Sequence, residues 1–173
     1  NRVTNMCGMF AGAASLQSLN LSSFNTSNVV NMRNMFVDTS SLQSLDLSSF
    51  DTRKVVDMQT MFYRMASLKT LNLTSFNTEN VKSMFAGCEA LTTLDVSKFD
   101  TSNVTDMESM FWSCQALTEL DLSSFKTPKV KTFREMFYTH YPESNKLRRI
   151  YASSDFDIST AIASHGTNPT DPY

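Results

Sequence analysis

The sequence predicts an α/β solenoid wound right-handed, with short parallel strands on its concave face and short helices on its convex face. Three observations lead there. The dipeptide Met-Phe recurs at Met9-Phe10, Met35-Phe36, Met61-Phe62, Met84-Phe85, Met110-Phe111 and Met136-Phe137, in steps of 26, 26, 23, 26 and 26 residues. A period of that size marks one small unit stacked on copies of itself. An apolar triplet keeps the same beat at Leu16/Leu19/Leu21, Leu42/Leu45/Leu47, Leu68/Leu71/Leu73, Leu91/Leu94/Val96 and Leu117/Leu120/Leu122. Ten of the 11 Met fall in two repeat columns, and so do 11 of the 13 Phe, which means side chains chosen to stack on their own copies.

Each unit reads as strand, then helix. The spacing L-x-x-L-x-L places apolar residues inward and polar residues outward with the two-residue period of a strand. It is also the leucine-rich-repeat strand signature, with Phe in the slot usually held by Asn or Cys. Phe24, Phe50, Phe76, Phe99 and Phe125 follow it and are expected to form a buried, stacked spine. Val29, Met32, Met35 and Phe36 then fall on one face of a helix. Thr26 (or Ser27), Thr52, Thr78, Thr101 and Thr127 stand where N-caps belong. Gly12 and Gly87 stand where a chain leaves a helix. In the short step, Val81, Met84 and Phe85 keep one apolar face while the residues carrying the first helical Met are missing, about one turn of helix.

Val3, Met6, Met9 and Phe10 match the helix columns, so the chain opens inside a repeat. An upstream repeat in a longer protein, or self-association at this truncated edge, is expected. Leu147–Ala152 reads as a further strand, late by four residues after an insertion around Thr139–Asn145. The division is therefore a repeat array over 1–152 (a half unit, five full repeats and the start of a cap strand) and a cap with a loose tail over 153–173. Asp157–Ala163 is expected to give a capping strand or a helical turn closed by Gly166. Asn168-Pro169 and Asp171-Pro172 mark loop.

A net charge of −2 with no basic block argues against nucleic acid and anionic membrane as main partners. No apolar stretch approaches the ~18 residues of a membrane span. No nucleophile elbow or phosphate loop occurs, and His140 and His165 read as loop residues, so neither an enzyme nor a cofactor is expected. Cys88 and Cys114 share a column. Buried free thiols are one reading and a Cys88–Cys114 bridge the other, the latter opposed by the usual helix spacing. Cys7 lies outside that column, two residues before its Met, and three thiols without a CxxC pattern and only two His argue against zinc.

The pattern SLxSLDLSSFDTSxVxxMxxMFxxC, carried by copies such as Thr92–Cys114 and Leu117–Phe125, resembles the 26-residue repeat of bacterial surface proteins, the BspA-like leucine-rich repeats. The resemblance covers about residues 1–152. It implies a non-enzymatic adhesion or recognition protein, extracellular or at the cell surface, whose partner is a protein or glycan on a host or neighbouring cell. The 23-residue copy, the 139–145 insertion and the cap depart from the pattern.

Two sets of residues are candidates for partner binding. Asn20, Asp46, Asn72, Asp95, Asp121 and Tyr151 form one outward column, flanked by Glu119 and Arg149. Strands about 4.8 Å apart would make it a flat polar ladder suited to a sugar, a peptide or calcium between Asp95 and Asp121, or simply to solubility. The second set is Tyr63, Trp112 and Tyr138, each directly after a Met-Phe. These are large aromatics of the kind that anchor partners, or that pack neighbouring loops together. A structural spacer displaying another domain, or assembling with like subunits, is the alternative function.

Overall fold

The computed structural model describes residues 2–76 and 80–159. The expected N-cap Thr78, most of the cap beyond Ser159, His165, Gly166 and the tail lie outside the described residues.

Strands form where the Leu spacing places them, and they are short. β1 (Ser44–Asp46) pairs in parallel with β2 (Thr70–Asn72), and β3 (Glu119–Leu122) with β4 (Arg149–Ala152). The registers match repeat columns: Leu45 lies beside Leu71, Asp46 beside Asn72, Leu120 beside Ile150 and Asp121 beside Tyr151. Isolated parallel bridges join Asn5 to Asn31, Asn31 to Asp57 and Asp106 to Thr132. Along β3 exposure alternates, Leu120 and Leu122 buried and Glu119 and Asp121 open to solvent. Among the described residues the strands do not run on into one continuous sheet but form two separate pairs. Leu91–Val96 buries its apolar residues without becoming a strand, and it lies directly after the 23-residue step.

The expected helices are not there: no repeat forms one among the described residues. The segment is instead a run of β-turns, each closed by a bond between residues three apart. Met35 N–H donates to Met32 C=O (3.2 Å), Val37 to Asn34 (3.2 Å) and Thr39 to Phe36 (3.2 Å). The amides between them reach the next repeat: Met32 N–H to Asp57 C=O (2.9 Å), Asn34 to Gln59 (3.1 Å), Phe36 to Met61 (2.9 Å) and Asp38 to Tyr63 (2.9 Å). Later repeats keep the rule, as in Phe62 to Met84, Phe85 to Met110 and Phe111 to Met136. A helix would spend all these amides within its own repeat.

Backbone handedness makes the helix impossible. Gly8, Asn34, Thr60, Ser83, Ser109 and Glu135 occupy one column, and Gly12, Asp38, Arg64, Gly87 and Ser113 the column four residues on. All have φ between 51° and 77°. A left-handed residue at every fourth position breaks a right-handed helix. Gly87 also lies where a Cβ would come within 3.1 Å of Arg64 Cα, so the glycine read as a helix exit is a turn residue pressed on the repeat before it.

In the 23-residue step Met58 N–H donates to Asn80 C=O and Thr60 to Lys82, as Met32 and Asn34 donate to Asp57 and Gln59. Val81 therefore fills the place of Met32 and Met58.

The buried threonines are not N-caps. Thr101 Oγ1 donates to Lys126 C=O (2.8 Å) and accepts from Lys126 N–H (2.8 Å). Thr26 makes the same pair with Asp51 (3.1 and 2.8 Å), and Thr127 accepts from Asp157 N–H (2.7 Å). Each hydroxyl rivets its repeat to the next.

The core is a set of ladders. Phe10, Phe36, Phe62, Phe85, Phe111 and Phe137 stack face to face, with centroids 5.4–5.8 Å apart and planes within 8°. The other column was expected to be the stacked spine. Phe50, Phe76, Phe99 and Phe125 are buried and Phe24 half-buried, yet Phe99–Phe125 is its one stacked pair among the described residues (6.3 Å). Its rings mostly tilt against the first ladder, as Phe76 does on Phe62 (6.4 Å, 40°). Cys88 and Cys114 are free and buried, and each thiol donates to the Phe carbonyl one repeat back (3.2 Å to Phe62, 3.2 Å to Phe85), the bond Thr39 makes to Phe10. Cys7 is free and exposed. Burial pushes the Cys88 thiol up to about 12.

Phe85 sits mid-ladder with no exposure. Phe85→Ala is expected to cost about 3–5 kcal/mol in a denaturant titration, against far less for Phe24→Ala at the half-buried end of its column. A loss below about 1 kcal/mol for Phe85→Ala would contradict the ladder.

Candidate functional site

The outward polar column is built by the strand period at Asp46, Asn72 and Asp121, and Asp95 keeps the same alternation between buried Leu94 and Val96 although its segment forms no strand. One oxygen of each is already engaged. Asp46 Oδ1 accepts Ser48 N–H (2.9 Å), Asn72 Oδ1 accepts Thr74 N–H (3.3 Å), Asp95 accepts Ser97 N–H (2.9 Å) and Asp121 accepts Ser123 N–H (2.8 Å). Asn20 does the same for Ser22. These are Asx turns, in which the side chain closes the backbone two residues on. Two further columns repeat the device: Asn25, Asp51 and Asp100, and then Asn5, Asn31, Asp57, Asn80 and Asp106.

The bonds show in the acidities. Ser48's amide and hydroxyl hold the Asp46 carboxyl below its usual 3.8, and the Ser97 and Ser123 hydroxyls with their amides do so for Asp95 and Asp121. Arg53, paired at 2.6 Å, takes Asp51 down to about 2. Nearby Asp121 slightly opposes the fall at Asp95. Glu119 pairs with Arg149 (2.7 Å), and Tyr151 is exposed beside Asp121. Among the described residues no three His, Cys, Asp or Glu side chains gather to hold a metal. The ladder is a row of turn closures more than a set of unengaged ligands.

The aromatic column has the opposite character. Tyr63, Ala86, Trp112 and Tyr138 hold one position in successive repeats and line a single cleft of about 330 Å³. Ser83, Ser109 and Glu135, from the left-handed column three residues earlier, line it too. The insertion contributes His140, whose ring meets Trp112 edge-on (5.1 Å) and Tyr138 edge-on (5.4 Å). Arg64 lies over Tyr63 (5.1 Å), and Arg134 stands 3.6 Å from Glu135. Sequence reasoning picked the three aromatics but passed over Ala86, Glu135 and His140. Ala86 was legible as the one small residue between two large ones in its column, whereas His140 depends on how the insertion folds back.

The family described as "Mycoplasma protein of unknown function, DUF285" matches twice, over residues 1–92 and 70–163. The chain is a DUF285 protein. No curated protein matches it. Its fold resembles that of a crystallised leucine-rich cell surface protein from Faecalibacterium prausnitzii A2-165, at a TM-score of 0.51 and 19% identity. The match covers 86% of this DUF285 chain and 34% of the other, so the chain spans about a third of that protein's length. No helix among the described residues is long and apolar enough to cross a membrane.

Lowered carboxyl pKa values stabilise the fold above the unfolded value of 3.8, and that contribution is lost as pH falls through the folded values. Asn20 and Asn72 already close the same turn without a charge. The triple variant Asp46→Asn/Asp95→Asn/Asp121→Asn should therefore melt like wild type at neutral pH. Between about pH 4 and pH 2 its melting temperature should fall less steeply. An unchanged acid slope in thermal melts followed by circular dichroism would count against the Asx assignment.

Proposed function

We propose that this chain is a non-enzymatic, surface-exposed binding module, a right-handed solenoid of BspA-like repeats with its strands on the concave face. On this reading it meets a protein or glycan of a host or neighbouring cell through the aromatic rim. The observation that carries it is the contrast between the two candidate faces. Asp46, Asn72, Asp95 and Asp121 each commit Oδ1 to closing a turn of their own backbone, whereas Tyr63, Trp112 and Tyr138 gather around a cleft, with Tyr138 43% exposed. Partly exposed aromatics around a concavity supply rigid contact area at low entropic cost. The likeness to a leucine-rich cell surface protein supports the surface location.

The second reading is a spacer or scaffold that displays another domain or assembles with like subunits. The polar columns favour it, because turn closure alone accounts for them. Probing a glycan and host-protein array with wild type, Trp112→Ala/Tyr138→Ala and Asp95→Ala/Asp121→Ala separates the two. Capture by wild type is expected to disappear with the aromatic pair and survive the aspartate pair. Capture lost only with the aspartates would move the contact to the strand face, and no capture by wild type would favour the spacer.

A further inference from the structure

We propose that, whichever reading of its function holds, a second copy of this chain docks head to tail on the C-terminal layer of the stack and continues the solenoid. The interior junctions set the rule. Met6, Gly8, Phe10 and Gly12 N–H donate to Asn31, Arg33, Met35 and Val37 C=O at 2.7–2.9 Å. Met107, Ser109, Phe111 and Ser113 donate to Thr132, Arg134, Met136 and Tyr138 at 2.8–3.1 Å. All of these bonds run toward the C-terminal layer, so the turn segments make a polar stack. The next donors in the same columns are Phe133, Glu135, Phe137 and Thr139, and their amides have no partner among the described residues. At the other end the carbonyls of Asn5, Cys7, Met9 and Ala11 match the four acceptors, and none of them accepts a bond among the described residues. One end layer therefore carries a row of donors and the other a row of acceptors, at the same spacing along the chain. Neither row can pair with its own kind.

Strands and side chains at the two ends agree with the backbone. Phe10 packs on Phe24 (6.3 Å) and Phe133 on Phe156 (5.4 Å), so each end layer comprises a turn segment and the strand region after it. Phe10 and Leu16 at one end, and Phe137 and Leu147 at the other, are half-buried, whereas every copy between them in those two columns is buried. Met9 is 51% exposed where Met35 has no exposure, and Ile150 is 44% exposed where Leu120 is buried. β4 pairs with β3 alone among the described residues and is exposed at all four positions. An open strand edge beside an apolar column is a template for another strand. Continuing the β3–β4 register sets Leu19 of the second copy beside Ile150 and Asn20 beside Tyr151, and Phe10 of that copy then extends the ring ladder from Phe137. Lys129 and Arg2 are the one like-charge pair brought opposite each other, and both are exposed, where salt screens them. A head-to-tail contact does not close on itself, so copies add in open chains.

Sedimentation velocity on the 173-residue chain, from about 1 µM to about 1 mM, covers the range in which a modest interface fills. Dimers, trimers and longer species are expected to grow with concentration. Met9→Glu and Ile150→Glu each place a charge at an exposed position on one end and should keep the wild-type circular dichroism. Each alone should sediment as a monomer, because every junction needs one intact end of each kind. Their equimolar mixture should give dimers and nothing longer. Hydrogen exchange on wild type adds a readout free of variants. The amides of Phe133, Glu135, Phe137 and Thr139 should exchange at least about tenfold more slowly at the top of the concentration range than at the bottom. If either variant unfolds, the exchange rates decide alone. A wild type that stays monomeric, growth that stops at a dimer, a mixture of folded variants that stays monomeric, or unchanged exchange at those four amides overturns the proposal.

Discussion

Backbone amides divided between two destinations shape this molecule. Through residues 32–39, alternate N–H groups close β-turns within a repeat, and the intervening ones reach the carbonyls of the next repeat at 2.9–3.1 Å. A buried backbone donor must find a partner, and here half of the partners belong to another unit. Side chains reinforce the division. Thr26, Thr101 and Thr127 bind forward to the next repeat, while Ser75, Ser124, Cys88 and Cys114 bind back to the previous one. No single repeat can satisfy its own groups, so folding stability belongs to the stack.

The repeat, its register, the parallel strands and the buried columns were all legible in the sequence, because stacking places like residues on like. The helices were misread for a specific reason. Val29, Met32 and Met35 recur at intervals of three, which suits β-turns closed between residues three apart as well as one face of a helix. What separated the two was in the intervening residues. Asn, Asp, Ser, Val and Gly are weak helix formers, and Gly8, Gly12 and Gly87 fall in the two left-handed columns. The threonines were misread for a related reason, since a hydroxyl at a turn reads as an N-cap in one dimension and as an inter-repeat rivet in three. The phenylalanine columns were recognised, but which one stacks depends on ring tilt, which spacing does not encode.

The same construction separates scaffold from candidate site. A carboxylate that closes a turn every repeat has a structural task, and three Asx columns per repeat account for seven of the 11 aspartates without a ligand. Where the pattern is irregular, the surface changes. Ala86 stands between Tyr63 and Trp112 in its column, Glu135 stands where the two copies before it have Ser83 and Ser109, and the insertion after Tyr138 brings in His140. Lys82 bridges Asp106 and Glu108 (3.1 and 2.9 Å) close to the shortened step, tying the irregular copy to its neighbour. Departures from a repeat at one place therefore make a cleft instead of a weakness.

The central claim is that alternate amides of the Met-Phe segment cross between repeats. Scalar couplings across hydrogen bonds, measured by NMR on the labelled protein, read the donor and acceptor directly. Couplings from the amide nitrogens of Phe36, Phe62, Phe85 and Phe111 to the carbonyl carbons of Met61, Met84, Met110 and Met136 are the predicted result. Couplings from those amides to carbonyls four residues earlier in their own repeats would restore the helix and contradict the account.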